Sequence, residues 1–236
     1  MNPAIYLALD FPDWSKTNAF LTENELAGIP VKVGMELFYR EGPAIIEKLQ
    51  KNDHSIFLDL KLHDIPTTVK RAMRNLSQLE VDLVNVHALG GGNMIQAAKE
   101  GLLLGNPSGS TKLLAVTILT SMDQKTMERE VKLTGDLPDN VVHFAKLSEQ
   151  NGADGVVCSV HEANLVKKAC SPSFLTVTPG IRLTNLQDND QKRIATPTFA
   201  RNHGADRIVV GRTITQATNP RQVYEQIKGE WEDGKA

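Results

Sequence analysis

At 236 residues, 41% hydrophobic and 23% charged, the chain has the composition of an ordinary globular protein large enough to bury a core. A formal net charge of −2 offers no electrostatic case for nucleic acid or an anionic membrane as partner. Two cysteines, Cys158 and Cys170, make neither a disulfide framework nor a zinc spacing, and no segment has the apolar length needed to cross a membrane.

The first ten residues lack a basic n-region and run straight into a strand pattern, so no signal peptide and a cytoplasmic location are expected. Ile5–Leu9 reads as a short buried strand ending in Asp10. Trp14–Asn24 has helical spacing, with Asp13 as N-cap. Val31–Gly34 is a second strand that contains Lys32. Gly42–Asn52 is a helix with Pro43 in its first turn. The third strand begins at Ile56 and ends near Lys61, because Pro66 cannot continue a central strand. In a regular strand Asp59 and Lys61 point to the same side, and Asp64 opens the following loop. These three charges read either as a buried cluster with a task or as a solvated surface group; the apolar neighbours favour burial.

Thr67–Leu79 is helical, and Val81–Val86 is the fourth strand, running into His87. Gly90–Gly92 lacks phosphate-loop spacing and reads as a tight turn into the helix Asn93–Leu104. Lys112–Leu119 is the fifth strand, followed by Thr120. Pro138–Asn151 is a helix, Gly155–Ser159 the sixth strand, His161–Ala169 a helix and Phe174–Thr178 the seventh strand, closing on Pro179-Gly180-Ile181-Arg182. Leu183–Arg193 is a long polar segment, readable as a surface loop or as a lid carrying Gln191 and Arg193. Pro197–His203 is a helix, Arg207–Val210 the eighth strand, and Asn219–Gly229 the last helix.

Eight strand-then-helix units predict an α/β fold of the (β/α)8 TIM-barrel type, one domain over residues 1–236; a doubly wound open sheet is the structural alternative. No linker, low-complexity segment or repeat beyond the β/α period is evident. In such a barrel the site lies at the C-terminal strand ends. Those ends carry Asp10, Lys32, Asp59, Lys61, Asp64, His87, Thr120, Arg182, Gly211 and Arg212. The two lysines sit among apolar residues and need carboxylate partners, for which Asp10, Asp59 and Asp64 are available. Gly211-Arg212 and Pro179–Arg182 follow strands eight and seven, where this fold often binds phosphate. His63 and His87 lack metal-site spacing, and His87 reads as a hydrogen-bonding residue. Trp14, Trp231 and Cys158 read as packing residues.

The stretch Asp59-Leu60-Lys61-Leu62-His63-Asp64-Ile65-Pro66 resembles the D-x-K-x-x-D-I-P signature of the orotidine 5′-phosphate decarboxylase family, and the other strand ends resemble its shorter, bacterial-type branch across nearly the whole chain. The resemblance implies a lyase of pyrimidine (UMP) biosynthesis that decarboxylates orotidine 5′-monophosphate to UMP. It also implies a homodimer with shared sites and no metal or organic cofactor. It makes Lys61 the proton donor to C6, with Asp59 beside the departing carboxylate. Asp64, Ile65 and Thr68 then serve the neighbouring subunit's site. Asp10 and Lys32 hold ribose hydroxyls, and Thr120 contacts the pyrimidine. Pro179 and Arg182 stand near the phosphate loop, Gln191 bridges phosphate and base, and Gly211 and Arg212 bind phosphate. The nearest alternatives are magnesium-dependent sugar-phosphate decarboxylases or synthases of the same barrel, in which the position of Lys32 is typically a glutamate. A silent phosphate-ligand-binding barrel is the non-enzymatic alternative.

Overall fold

A short apolar strand buried on both faces needs apolar cover on each side. The computed structural model, which describes residues 4–183 and 194–234, supplies that cover by closing the strands into a barrel. The strands are β1 (Ile5–Ala8), β2 (Val31–Gly34), β3 (Ile56–Leu62), β4 (Leu83–His87), β5 (Lys112–Val116), β6 (Gly155–Val157), β7 (Leu175–Thr178) and β8 (Arg207–Val210). Neighbours are parallel throughout, and β1 pairs with both β2 and β8, which rules out the open sheet. Tyr6, Ala8, Phe57, Leu83, Leu114, Val177 and Val209 form a separate buried cluster, the barrel interior. The alternate residues Ile5 and Leu7 of β1, and Leu9 just after it, belong to the larger core shared with the helices. Each fully buried aliphatic or aromatic side chain contributes about 1.5–3 kcal/mol.

The helices are α1 (Trp14–Glu23), α2 (Met35–Glu41), α3 (Ala44–Gln50), α4 (Pro66–Leu76), α5 (Gly91–Gly105), α6 (Gln124–Thr126), α7 (Leu137–Gln150), α8 (Val160–Ala169), α9 (Pro197–Asn202), α10 (Arg212–Thr215) and α11 (Pro220–Asp233). Asp13 caps α1 as expected, accepting the Lys16 N–H at 2.8 Å. Three local readings change. Gly42 sits at φ 67° and separates α2, which sequence pattern missed, from α3. Strand five stops at Val116, because its pairing with β6 ends at Val116↔Val157. The connection after it holds α6 and a π-helical turn over Met127–Val131.

A repeat over two β/α units, not evident from sequence, ties the base of the barrel together. Asp82, Asp154 and Asp206 each stand one residue before an even-numbered strand. Their Oδ2 atoms accept the backbone N–H of Ile56, Leu113 and Thr176, at 2.7, 2.7 and 2.8 Å, from the start of the preceding odd-numbered strand. Lys99 and Lys167 pair with Asp154 and Asp206.

The helix that follows the signature stretch is held close to its neighbour. A Cβ at Gly101 would lie 2.2 Å from the Lys70 carbonyl oxygen, and one at Gly105 would lie 2.2 Å from that of Arg74. The α5 backbone therefore rests directly on α4. Alanine at Gly101 or Gly105 should lower the unfolding free energy by about 1–3 kcal/mol through overpacking. Gly229→Ala, in α11 with nothing within 4 Å of the new Cβ, should be neutral or stabilising by about 0.4–1 kcal/mol. Urea midpoints check the contrast; equal effects at all three glycines would contradict the close approach.

Candidate active site

The C-terminal strand ends surround a cavity of about 590 Å³. Asp10, Lys32, Asp59 and Lys61, from the ends of β1 to β3, line it together with Pro179, Gly180 and Arg182 after β7, Gly211 and Arg212 after β8, and Thr120. Ala8, Phe57 and Val209 bring the top of the barrel interior to its floor.

The charged residues form an alternating array. Lys32 Nζ lies 3.0 Å from Asp10 Oδ1 and 3.4 Å from Asp59 Oδ2, and Lys61 Nζ lies 2.7 Å from Asp59 Oδ1. Burial by itself would push the Asp59 carboxyl up, but Lys32 and Lys61, with hydrogen bonds from Lys61 and Asn85, hold it below the usual carboxylate range. Burial would likewise depress the Lys32 ammonium, but Asp59 and then Asp10 hold it above the usual lysine value. Gly34 leaves room for this pairing: a Cβ there would lie 3.2 Å from Lys32 Nζ.

Lys61 and Asp59 meet, but not by simple strand alternation. The β3–β4 register runs Leu58↔Val84 and then Leu62↔Val86, so the intervening β3 residues form a bulge. Lys61 lies on it at φ 51°, in the left-handed region. For a non-glycine residue that costs about 1–3 kcal/mol and persists where the surroundings enforce it. Asn85 is the enforcing neighbour. Its Oδ1 accepts the Lys61 backbone N–H at 2.7 Å, and its Nδ2 donates to Asp59 Oδ1 at 2.6 Å. Sequence reasoning passed over Asn85. The signal was a lone amide inside the apolar run Leu83–Val86, since a buried polar side chain must have partners.

After β7, Gly180 takes φ 80°, which favours glycine. The Arg182 N–H donates to the Ala195 carbonyl at 2.9 Å, and the Ala195 N–H donates to the Gly180 carbonyl at 3.1 Å. The Ile181 carbonyl accepts from Arg182 Nη1 at 2.9 Å and Thr213 Oγ1 at 3.1 Å, joining the loops after β7 and β8. Arg182 is buried, and with Arg212 it also borders a second cavity of about 570 Å³.

Asp64, Ile65 and Thr68 stand apart from the cavity lining. The expectation that Asp64 surrounds the lysines is not met within this chain. Beyond the bulge the backbone leaves the barrel and enters α4 at Pro66, and Asp64 Oδ1 accepts the neighbouring Ile65 N–H at 2.6 Å. Ile65 is 67% exposed. His63 and His87 stack at 5.5 Å, and burial, then His63 and Lys61, depress His87 below the usual histidine value. Gln191 and Arg193 lie outside the described residues.

Opposite shifts set a pH window. The depressed Asp59 stabilises the fold fully above the ordinary carboxylate value, and that contribution is lost as pH falls through its lower folded value. The raised Lys32 contributes fully below the ordinary lysine value and loses its contribution as pH rises through its higher folded value. Asp59→Asn should therefore destabilise by about 3–5 kcal/mol at neutral pH, by leaving the buried Lys32 ammonium short of a partner. The deficit should shrink in acid, where the wild type itself protonates. Denaturant titrations from neutral pH into acid measure it; a deficit that does not shrink in acid would contradict the role of the ionised Asp59.

The profile of the orotidine 5′-phosphate decarboxylase / HUMPS family matches residues 3–227. A Bacillus pumilus protein named orotidine 5′-phosphate decarboxylase is 54% identical over 228 residues, which cover 96% of this chain and 97% of that one. A Bacillus licheniformis protein of the same name is 53% identical over 232 residues, covering 98% and 97%. The crystal structure of orotidine 5′-phosphate decarboxylase from Lactobacillus acidophilus superposes with a TM-score of 0.86 at 42% identity, covering 97% of this chain and 98% of that one. With a matching profile and such identity over nearly its whole length, the chain belongs to the orotidine 5′-phosphate decarboxylase / HUMPS family.

Proposed function

We propose that the chain decarboxylates orotidine 5′-monophosphate to UMP and carbon dioxide in pyrimidine biosynthesis, with Lys61 as the acid and no metal or organic cofactor. The observation that carries this reading is the Asp10–Lys32–Asp59–Lys61 array lining one cavity together with Gly211 and Arg212. Breaking the C6–carboxylate bond leaves its electron pair on C6, with no adjacent carbonyl to delocalise it. Stabilisation then has to be electrostatic, from a cation fixed before the reaction begins. The Lys61 ammonium stands beside the developing charge and gives C6 its proton; solvent returns a proton to the neutral amine. Asp59 keeps Lys61 aimed and faces the departing carboxylate. Asp10 and Lys32 hold ribose hydroxyls, Thr120 contacts the pyrimidine, Gly211 and Arg212 bind the phosphate, and Pro179 and Arg182 stand near it. The family resemblance gives Gln191, outside the described residues, the bridge between phosphate and base. Phosphate binding far from C6 helps organise the site, so a substrate lacking phosphate should lose turnover as well as affinity.

The same proposal has the protein act as a homodimer in which Asp64, Ile65 and Thr68 complete the partner's site. It is supported by the exposure of all three and by their standing outside the lining of their own chain's cavity. A cytoplasmic location is part of it, supported by Cys158 and Cys170 not being joined in a disulfide. The family name also covers a second class, and a magnesium-dependent sugar-phosphate reaction is the competing reading. Against it, two ammonium groups occupy the carboxylates that would hold a divalent cation.

The absorbance change of orotidine 5′-monophosphate, followed in EDTA, tests the reaction. Turnover is expected; activity that disappears in EDTA and returns with magnesium would establish the competing reading. Lys61→Ala should lose at least about 10²–10³-fold in kcat while still binding UMP. Near-normal turnover would remove Lys61 as the acid. Mixing Lys61→Ala with Asp64→Ala chains should restore activity through hybrid sites, and no recovery after demonstrated subunit exchange would reject sharing across the dimer.

A further inference from the structure

Three residues of β3, namely Asp59, Leu60 and Lys61, lie opposite a single residue of β4, Asn85, between the pairs Leu58↔Val84 and Leu62↔Val86. The surplus chain costs ladder hydrogen bonds, and a buried N–H left unpaired is expensive. Asn85, 1% exposed, takes over that role with its side chain. Its Oδ1 accepts the Lys61 N–H, and its Nδ2 donates to the same Asp59 oxygen that receives Lys61 Nζ at 2.7 Å. The orientation of the amide is forced, since a backbone N–H only donates and a carboxylate only accepts. A lysine has four rotatable side-chain bonds, and here both ends of it are tied: the backbone to Asn85, and the ammonium to a carboxylate that Asn85 also holds.

We propose that Asn85 is a positioning residue for the proton-donating lysine, fixing in one hydrogen-bonded ring where Lys61 starts and where its ammonium points. The proposal rests on the reading of Lys61 as the acid. The residue type follows from the geometry. A leucine or valine neither accepts nor donates. An aspartate accepts the N–H but sets a second negative charge against Asp59. Only a side chain with one acceptor and one donor on a short stem closes the ring, and a neutral one leaves the array's charge unchanged.

Asn85→Ala and Asn85→Asp test this with the whole protein, alongside the wild type. Alanine should lower kcat by about 10–100-fold, as expected for a misplaced catalytic group, while UMP affinity stays within about threefold. Aspartate keeps the shape and the acceptor for the Lys61 N–H, so its folding is the safer of the two. At neutral pH its charge opposes Asp59, and the two carboxyls titrate as a pair. When that pair takes up one proton, an O–H donor replaces the lost amide donor. Asn85→Asp should therefore recover kcat as pH falls, a limb absent from the wild type. Other titratable or charged groups nearby are Lys61 on β3, Lys32 on β2 acting through Asp59, and the stacked His63 and His87; Leu114, paired with Asn85 on β5, carries no charge. All are common to both proteins, so the wild-type profile separates their effects.

Wild-type kcat in Asn85→Asp at neutral pH, or an equal deficit at every pH, would overturn the positioning role and leave the reaction standing. A wild-type chain inert towards orotidine 5′-monophosphate would overturn the reaction, and this proposal with it.

Discussion

Asp59 is a carboxylate withdrawn from water, and the arrangement around it follows from keeping it charged. A buried carboxylate without partners takes up a proton. Here Lys32 arrives from β2, Lys61 from the bulge on β3 and Asn85 from β4, so three adjacent strands each send one group to the same two oxygens. The array depends on strand pairing, because the register Lys32↔Phe57 and Gly34↔Asp59 sets β2 beside β3 so that Lys32 Nζ reaches Asp59 Oδ2 at 3.4 Å. Electrostatics and topology are therefore one constraint in this protein. The strand pairing that holds the site together also sets the spacing of its charges.

Much of the fold was legible in the sequence because parallel barrel strands leave a plain mark: short apolar runs with polar residues at one end. Ile5, Val31, Ile56, Gly155 and Arg207 begin strands where the pattern placed them. The readings that failed depended on information a pattern does not carry. Gly42 divides a helical stretch through its φ, and α2 carries no cap or proline to announce it. Strand five ends where its partner ends, a property of β6 rather than of Ile118 or Leu119. In the site, Asp10, Lys32, Asp59 and Lys61 were readable as strand-end charges, and the structure brings them together. Asn85 was not, since one amide in an apolar strand has meaning only once the bulge opposite is seen. Charge alone offered Asp64 as a partner for the lysines, and within this chain its Oδ1 accepts the Ile65 N–H instead, where the backbone enters α4 at Pro66.

The two ends of the barrel divide the work. At the base, Asp82, Asp154 and Asp206 meet backbone N–H groups, and two of them meet lysines as well. These contacts clamp odd strands to even ones and touch no cavity of the site. At the top, charge is concentrated, a residue is held in the left-handed region, and polar groups face open space. Strain at a working end is sustained by order elsewhere.

The β3 bulge carries a consequence of number. It adds two residues relative to β4, from the offset of Leu58↔Val84 to that of Leu62↔Val86. Lys61, in the left-handed region, interrupts the alternation within the bulge, so the faces presented there follow from the hydrogen bonds to Asn85 and not from a strand period. The length of this segment is thereby tied to one side chain on the neighbouring strand: a residue inserted or deleted between Asp59 and Lys61 would carry one of the two away from the amide that holds both.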